Sequence, residues 1–276
     1  MRTLPAAAAP VLLGIGAAIK LDSFSWGMSL LAMLVGLALQ VGVNFSNDYS
    51  DGIRGTDEHR VGPKRLTASG ALSHRTVLML ALACFAVAGL AGLILVAWSG
   101  SWWLLVIGMA AVIAAWFYTG GKRPYGYAGV GLSELMVFVF FGLFATVGTA
   151  WVQAHSAPWW LWAAACGIGL VSTALLLVNN IRDIPTDKQS GKITLCVRMG
   201  DSWSRILYVL VTIVSAPLGG LASLWWITLI LLAYAIPGIL GVVRGQTGKE
   251  LLPALRNTGL YALAYGVIIG TAFALI

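Results

Sequence analysis

Long apolar runs, separated by short polar segments, recur along the whole chain. Each run is close to the roughly 20 residues that a helix needs to cross the hydrocarbon core of a bilayer. The pattern therefore predicts an all-α, polytopic membrane protein with about nine transmembrane helices. The predicted spans lie near 6–20, 24–43, 76–98, 102–118, 127–151, 158–181, 203–224, 225–242 and 258–276.

The segments between the runs are short, and the longest covers residues 44–75, so we expect a single transmembrane domain over residues 1–276. The first run follows Arg2 and is similar to a signal peptide, but no convincing cleavage site precedes the next run. We therefore predict that it is a helix of the mature protein. Composition agrees with a membrane location, because only 10% of the residues are charged, against about 25% in soluble domains.

Basic residues indicate the orientation of the predicted spans. With the N-terminus in the cytoplasm, all of the 17 lysines and arginines except Lys20 fall on the cytoplasmic side, as the positive-inside rule requires. Tryptophans gather at the predicted outer ends, as in an aromatic belt; they are Trp98, Trp102, Trp103, Trp159, Trp160, Trp225 and Trp226. The net charge of +7 is thus explained by topology, and we expect a multi-pass protein of the inner (cytoplasmic) membrane with no nucleic-acid partner.

Two groups of aspartates follow the second and the sixth predicted spans. The first group holds Asp48, Asp51 and Asp57, and the second holds Asp183 and Asp187. Asn44 precedes Asp48 by four residues, and Asn179 precedes Asp183 by four. Residues four apart share one face of a helix, so each group is predicted to line a helix face if the span continues past the membrane surface.

Carboxylates clustered in this way repel one another, and a divalent cation offsets that repulsion. Ligands that are all oxygens, with no histidine or thiol nearby, favour Mg²⁺ or Ca²⁺ over zinc. Mg²⁺ commonly takes one or two carboxylates and completes its shell with water and substrate phosphate. The alternative is that these aspartates are solvated loop residues or helix caps, and it applies most to Asp57, which we treat as secondary.

Basic and polar residues surround the same predicted face, namely Arg65, Tyr118, Lys122, Lys188 and Lys192. Cations beside carboxylates suit a phosphate-bearing ligand, although each cation is also explained as a topology signal. Tyr118 lies four residues before Lys122, so both are expected to face one cavity. Glu134 lies within the fifth span, where a carboxylate is costly and marks a functional site by default; the alternative is a neutral acid that joins two helices.

Four blocks of the chain carry a resemblance to a known family. They are "NDYSDGIRGTD" with "RVGPKRLTASG", "YTGGKRPYGYAGVGLSELMVFVFFG" and "NNIRDIPTDKQSGKITLCVRMG". Together with the opening "RTLPAAAAPVLLG", these blocks resemble the UbiA superfamily of intramembrane aromatic prenyltransferases. The likeness covers most of the chain, and it is more specific than a lone pair of aspartates.

The resemblance implies a helical bundle around a central cavity, with the acidic motifs at its cytoplasmic mouth. It implies that Asn44, Asp48 and Asp51 belong to a first magnesium–diphosphate motif, and that Asp183 and Asp187 belong to a second. It also implies that Tyr118, Lys122 and, more weakly, Arg65 bind diphosphate, while Lys188 and Lys192 are candidates from their position. In the hydroxybenzoate branch a further aspartate stands where this chain has Gly55, which leaves Asp57 without a matched role.

The implied activity is Mg²⁺-dependent transfer of a polyprenyl group from an allylic polyprenyl diphosphate to an aromatic acceptor, within the lipid bilayer. The blocks are most similar to the branch that acts on 1,4-dihydroxy-2-naphthoate. Another acceptor, such as 4-hydroxybenzoate, homogentisate or haem, stays open, and a cation-coupled secondary transporter is the alternative from another class. Aromatic rings can stabilise an allylic cation, and the candidates are Trp116, Phe138, Phe140 and Phe141.

Overall fold

The computed structural model describes residues 4–55 and 65–276, and within these ranges the chain is helical with no strand. The α-helices are α1 (Leu4–Lys20), α2 (Trp26–Arg54), α3 (His74–Ser99), α4 (Leu104–Thr119), α5 (Leu132–Val137), α6 (Ala145–Ala154), α7 (Trp159–Gln189), α8 (Leu195–Met199), α9 (Asp201–Ala222), α10 (Ile227–Val243) and α11 (Leu252–Leu275). A π-helical stretch, Phe138–Phe144, joins α5 to α6, and short 3₁₀ turns cover Tyr125–Tyr127 and Gly248–Leu251.

The predicted membrane architecture is confirmed. Within the described ranges, six helical segments are long and apolar enough to cross a membrane, and three shorter apolar helices, α1, α4 and α10, accompany them. Each predicted span has one counterpart among these nine segments. The belt tryptophans are largely exposed, including Trp98, Trp102 and Trp225, as expected where aromatic rings meet the lipid interface.

Two helices extend well beyond the spans predicted for them. Helix α2 begins after Ser25, whose hydroxyl accepts a hydrogen bond from the Met28 amide, and it ends at Gly55 in a left-handed conformation. Helix α7 continues through Asp183 to Gln189. The helical continuation that the spacing of the acidic residues required is therefore present in both, and the acidic groups lie on the last turns of α2 and α7.

Helices α1, α7, α9, α10 and α11 form the tightly packed side of the bundle. Helix α7 packs on α9 and α1 packs on α11, where Gly16 faces the backbone of Gly270 so closely that a side chain would collide with it. Small residues at such contacts let membrane helices approach closely. Lys20, the exception to the positive-inside pattern, places its ammonium 5.2 Å from the Trp160 ring centroid and 5.7 Å from that of Phe273.

The other half of the bundle encloses a cavity. Helices α2 to α6 contribute most of its wall, and α7 closes it on the side of the packed core. Helix α4 is loosely packed in this half, because only its last residue, Thr119, is buried. The chain thus divides into a packed support and a hollow part, and both acidic helix ends border the hollow part.

Candidate active site

The cavity has a volume of about 950 Å³, and its wall changes from apolar to polar along its length. The apolar part is lined by residues from α2 to α6, among them Val35, Leu39, Leu93, Ile107, Val112, Phe140, Phe141 and Phe144. The polar end is lined by Asn44, Asn47, Asp48, Asp51, Arg65, Tyr118, Asn179, Asn180, Arg182 and Lys192. Such a cavity suits a ligand with a long apolar tail and a charged head.

Asp48 is held by the segment that follows the first acidic group. Its carboxylate accepts hydrogen bonds from the Leu66 amide at 2.9 Å, the Thr67 amide at 3.1 Å and the Thr67 hydroxyl at 2.5 Å. Gly52 makes this approach possible, because a side chain there would collide with Thr67. Asp48 is only 5% exposed but still lines the cavity. It therefore fixes the 65–67 segment against α2 as well as presenting oxygen to the cavity.

The remaining residues of the first motif also lie where the sequence predicts. Asn44 and Asp51 line the cavity with Asp48. Asp51 accepts a 2.5 Å hydrogen bond from the Tyr127 hydroxyl, and the Arg65 guanidinium lies 3.5 Å from the backbone oxygen of Asn44. The three oxygen-bearing side chains of α2 thus share one face, and a cation from the following loop lies beside them.

The second motif is more enclosed by protein. Arg182 holds the Asp183 carboxylate with two hydrogen bonds of 2.7 and 2.5 Å, and both residues are buried. Asp187 lies 3.8 Å from the Lys192 ammonium. Arg182 and Lys192 line the cavity, whereas Asp183 and Asp187 lie just behind its wall. The repulsion that suggested a metal is therefore offset, in this second group, by the chain's own cations.

Tyr118 and Lys122 do not share a face, and that expectation is wrong. Tyr118 lines the cavity and packs edge-on against Tyr125, with ring centroids 5.6 Å apart. Lys122 is exposed and lies outside the cavity wall, because α4 ends at Thr119 and Gly121 turns the chain with a left-handed φ of 76°. The spacing of four has its helical meaning only while the helix continues.

Of the other predicted site residues, some line the cavity and others do not. Lys192 lines the cavity, but Lys188 is exposed and does not. Asp57 lies outside the described residues. Of the aromatic candidates, Phe140 and Phe141 line the cavity, whereas Phe138 packs against Gly169 of α7 and Trp116 is absent from the wall.

The segment between α4 and α5 supplies a tyrosine that sequence reasoning did not select. Besides its bond to Asp51, the Tyr127 ring lies 5.4 Å from the Arg54 guanidinium and 5.3 Å from the Lys192 ammonium. Neighbouring Tyr125 donates a 2.9 Å hydrogen bond to the Ala114 backbone oxygen, and its burial raises the pKa of its hydroxyl to about 12. Tyr125 is therefore a neutral donor at physiological pH. The repeated tyrosines of "YGY", close to two basic residues, were the available signal.

The residues of the first motif fit Mg²⁺. In the part of the chain that the structure describes, no three His, Cys, Asp or Glu side chains converge as metal ligands. Mg²⁺ does not require three, because it commonly binds through one or two carboxylates, water and substrate phosphate. Asn44, Asp48 and Asp51 present such oxygens at the cavity wall, and Arg65 and Lys192 line the same cavity.

Residues 7–272 match the model of the UbiA prenyltransferase family. The chain belongs to this family. Membership agrees with the all-helical fold and with the resemblance of the four sequence blocks, and it argues against the transporter interpretation. The relevant chemistry is thus prenyl transfer.

Curated relatives and solved structures give the same result. The chain is 46% identical to 1,4-dihydroxy-2-naphthoate octaprenyltransferase of Mycobacterium tuberculosis, over 99% of this chain and 94% of the relative. It is 33% identical to the Escherichia coli enzyme of the same name, over 93% of this chain and 87% of the relative. In fold it is similar to a UbiA homologue from Archaeoglobus fulgidus bound to GPP and Mg²⁺, with a TM-score of 0.72 and 15% identity over 100% of this chain and 97% of that one.

Proposed function

We propose that this protein transfers a polyprenyl group from an allylic polyprenyl diphosphate to 1,4-dihydroxy-2-naphthoate. The products are demethylmenaquinol, diphosphate and CO₂. The observation that carries the proposal is the 46% identity to a 1,4-dihydroxy-2-naphthoate octaprenyltransferase over nearly the whole chain. The cavity supports it, because its apolar part suits a prenyl tail and its polar end carries the first acidic motif.

In this proposal, Asn44, Asp48 and Asp51 hold Mg²⁺ with the diphosphate, and Asp183 and Asp187 serve the same headgroup from α7. Mg²⁺ held by these residues would supply positive charge for the departing diphosphate. Arg65 and Lys192 add positive charge at the cavity wall, while Lys122 and Lys188 are assigned only to the exposed rim. In this proposal, diphosphate release depends on the two acidic motifs and on Arg65 and Lys192.

Bond making and breaking balance without another reactant. The bond between the first prenyl carbon and the diphosphate oxygen breaks, with its electron pair leaving on the diphosphate. The ring carbon that bears the acceptor carboxylate then forms a bond to that prenyl carbon. The bond from this ring carbon to the carboxylate breaks, so that CO₂ leaves and the electron pair stays in the ring. The apolar wall, including Phe140 and Phe141, keeps water away from the allylic cation.

The polar mouth is proposed to open toward the cytoplasm, where soluble Mg²⁺ and the acceptor are available. The asymmetry of the basic residues supports this orientation. The assay is prenyl transfer by membranes containing the protein, with 1,4-dihydroxy-2-naphthoate, 4-hydroxybenzoate or homogentisate offered in parallel and the products identified by mass. Prenylated, decarboxylated naphthoate is expected. Product from 4-hydroxybenzoate or homogentisate alone would overturn the assignment of the acceptor.

A further inference from the structure

Glu134 is a buried acid that the metal and diphosphate chemistry does not use. It lies in the first turn of α5, at the start of the candidate membrane span Leu132–Ala154, and only 8% of it is exposed. A carboxylate at such a position is costly and is retained where it has a partner or a task. It belongs to neither acidic motif, so its role has to come from its own surroundings.

Its surroundings are polar groups of α7. The side chain of Asn180 lies beside the Glu134 carboxylate. About two turns earlier in α7, the Thr173 hydroxyl lies 3.5 Å from the Glu134 backbone oxygen. The second carboxylate oxygen, Oε1, is buried and has no hydrogen-bond partner within residues 4–55 and 65–276. Glu134 is therefore fixed at the contact between α5 and α7 with acceptor capacity left over.

Asn180 connects this contact to the cavity. It is 4% exposed and lines the cavity wall, as does Ser133, the neighbour of Glu134 in α5. In its ionised form Glu134 can only accept, so the NH₂ end of the Asn180 amide then faces it. The carbonyl end of the amide then remains for the cavity. Glu134 thereby sets which end of Asn180 a bound molecule meets.

The charge of this wall selects the kind of ligand. A carboxylate behind a carbonyl oxygen repels a diphosphate, which the cations Arg65 and Lys192 attract instead. The same arrangement favours a neutral group that donates a hydrogen bond. An aromatic hydroxyl is such a group, and the apolar rings of Phe140 and Phe141 on the same helical segment line the cavity nearby.

We propose that Asn180 and Ser133, oriented by Glu134, form the subsite that binds a hydroxyl of the aromatic acceptor. The Asn180 carbonyl accepts the hydroxyl proton in a hydrogen bond, and Ser133 supplies a second polar contact. Glu134 is a positioning residue in this subsite, because it acts through Asn180. The inference rests on the proposed function and adds to it the location of the acceptor, on the α5–α7 side of the cavity.

The test replaces Glu134, Asn180 or both, and it measures KM for the acceptor and for the prenyl diphosphate separately. In Glu134→Gln, the new amide can donate to the Asn180 carbonyl and turn it away from the cavity. Loss of one hydrogen bond is expected to raise KM for the acceptor about tenfold, with KM for the prenyl diphosphate and the half-activating Mg²⁺ concentration within about twofold. Asn180→Asp places two carboxylates together and should impair acceptor binding more.

The double variant Glu134→Gln/Asn180→Asp restores one donor facing one carboxylate, so KM for the acceptor should return close to the wild-type value. Ser133→Ala leaves the pair intact and should raise the same KM by a smaller factor. Glu250→Gln, the same chemical change at an exposed position, is the matched control and should change nothing. Each variant is compared at equal amount in the membrane.

The results separate this inference from the proposed function. Wild-type protein that does not prenylate the naphthoate contradicts the function, and the same KM comparison is then made with the aromatic acceptor it does use. If wild-type protein is active but Glu134→Gln and Ser133→Ala leave KM for the acceptor unchanged, the subsite is wrong. It is equally wrong if KM for the prenyl diphosphate or the Mg²⁺ requirement rises in parallel, which would assign these residues to the diphosphate.

Discussion

The hydroxyl of Tyr127 donates a 2.5 Å hydrogen bond to Asp51 and thereby ties the loop after α4 to the end of α2. The same ring lies 5.3 Å from the Lys192 ammonium, which in turn is 3.8 Å from Asp187 at the end of α7. One aromatic side chain thus connects the two acidic motifs, through a hydrogen bond on one side and a cation–π contact on the other.

Removing the Tyr127 hydroxyl should loosen Asp51 while leaving the ring in place. For Tyr127→Phe we expect the half-activating Mg²⁺ concentration to rise roughly threefold to tenfold, since a hydrogen bond to a charged group contributes about 1 kcal/mol or more. Tyr127→Leu also removes the surface for Lys192, and KM for the prenyl diphosphate should then rise as well. Mg²⁺ titration of purified protein, followed by activity and by thermal stabilisation, measures both effects.

Tyr234→Phe is the matched control, because Tyr234 is exposed on α10 and lies outside the cavity wall. It should behave as wild type in both titrations. An unchanged Mg²⁺ requirement in Tyr127→Phe and Tyr127→Leu, at normal expression, would mean that Asp51 holds its position without help from the loop.

Sequence periodicity predicted the helical parts of this site and missed the loop contacts. The spacing from Asn44 to Asp48 is meaningful because α2 remains helical to Arg54, so local geometry carries the prediction. Tyr127 meets Asp51 across 76 residues of chain, and no local rule specifies such a contact. The prediction that Lys122 faces the cavity was wrong for a related reason, because helix α4 ends before Lys122.

The residues that form hydrogen bonds with the aspartates could not be predicted from the sequence either. Thr67 and Arg182 were not selected, although they hold Asp48 and Asp183. The sequence indicated that clustered carboxylates need compensation, which was correct. It could not distinguish compensation by a metal from compensation by backbone amides or a buried guanidinium, because this depends on how the 65–67 segment and α7 pack.

Asp51 and Asp48 are expected to respond differently to removal of charge. In Asp51→Asn the amide oxygen can still accept from Tyr127, so the change mainly removes a metal-binding charge. We expect turnover to fall about 10²-fold or more, because electrostatic stabilisation of a leaving group is commonly worth about 3 kcal/mol. The folded protein should keep its thermal stability.

In Asp48→Asn, the new NH₂ group would face either the Leu66 amide or the Thr67 donors, because these bind different oxygens of Asp48. That variant should lose activity to a similar degree and also melt at a lower temperature, since buried donors lose an acceptor. Thr67→Val removes only the hydroxyl contact and is the comparison for the stability effect. A stable Asp48→Asn protein would contradict the anchoring role, and an active Asp51→Asn protein would contradict the metal role.

The orientation of the acidic ends can be measured with two serines. Ser190 is exposed just after α7, and Ser156 lies in the turn between α6 and α7, at the opposite end of that helix. In a background without native cysteines, Ser190→Cys should resist an impermeant thiol reagent in intact cells and react in inverted vesicles. Ser156→Cys should show the reverse. The opposite pattern would contradict the orientation derived from the basic residues.

Cys196 should be chemically inert in the folded protein. Its side chain is fully buried in α8, where its thiol points to the Leu177 backbone oxygen at 3.9 Å, and burial raises the pKa of the thiol to about 12. The thiolate is the reactive form. A variant whose only cysteine is Cys196, made by Cys84→Ala and Cys166→Ala, should therefore label with maleimide at pH 8 only after denaturation.

The same shift determines how stability depends on pH. Because the folded pKa lies above the ordinary thiol value, the unfolded chain loses its proton first as the pH rises. The contribution of Cys196 to the free energy of unfolding is thus fully present below about pH 9 and is lost between about pH 9 and 12, with a slope of up to about 1.4 kcal/mol per pH unit. Melting curves recorded at pH 8 and pH 10.5 should show a larger loss for the single-cysteine protein than for its Cys196→Ala derivative. Equal losses, or labelling of the folded protein at pH 8, would show that this thiol reaches solvent.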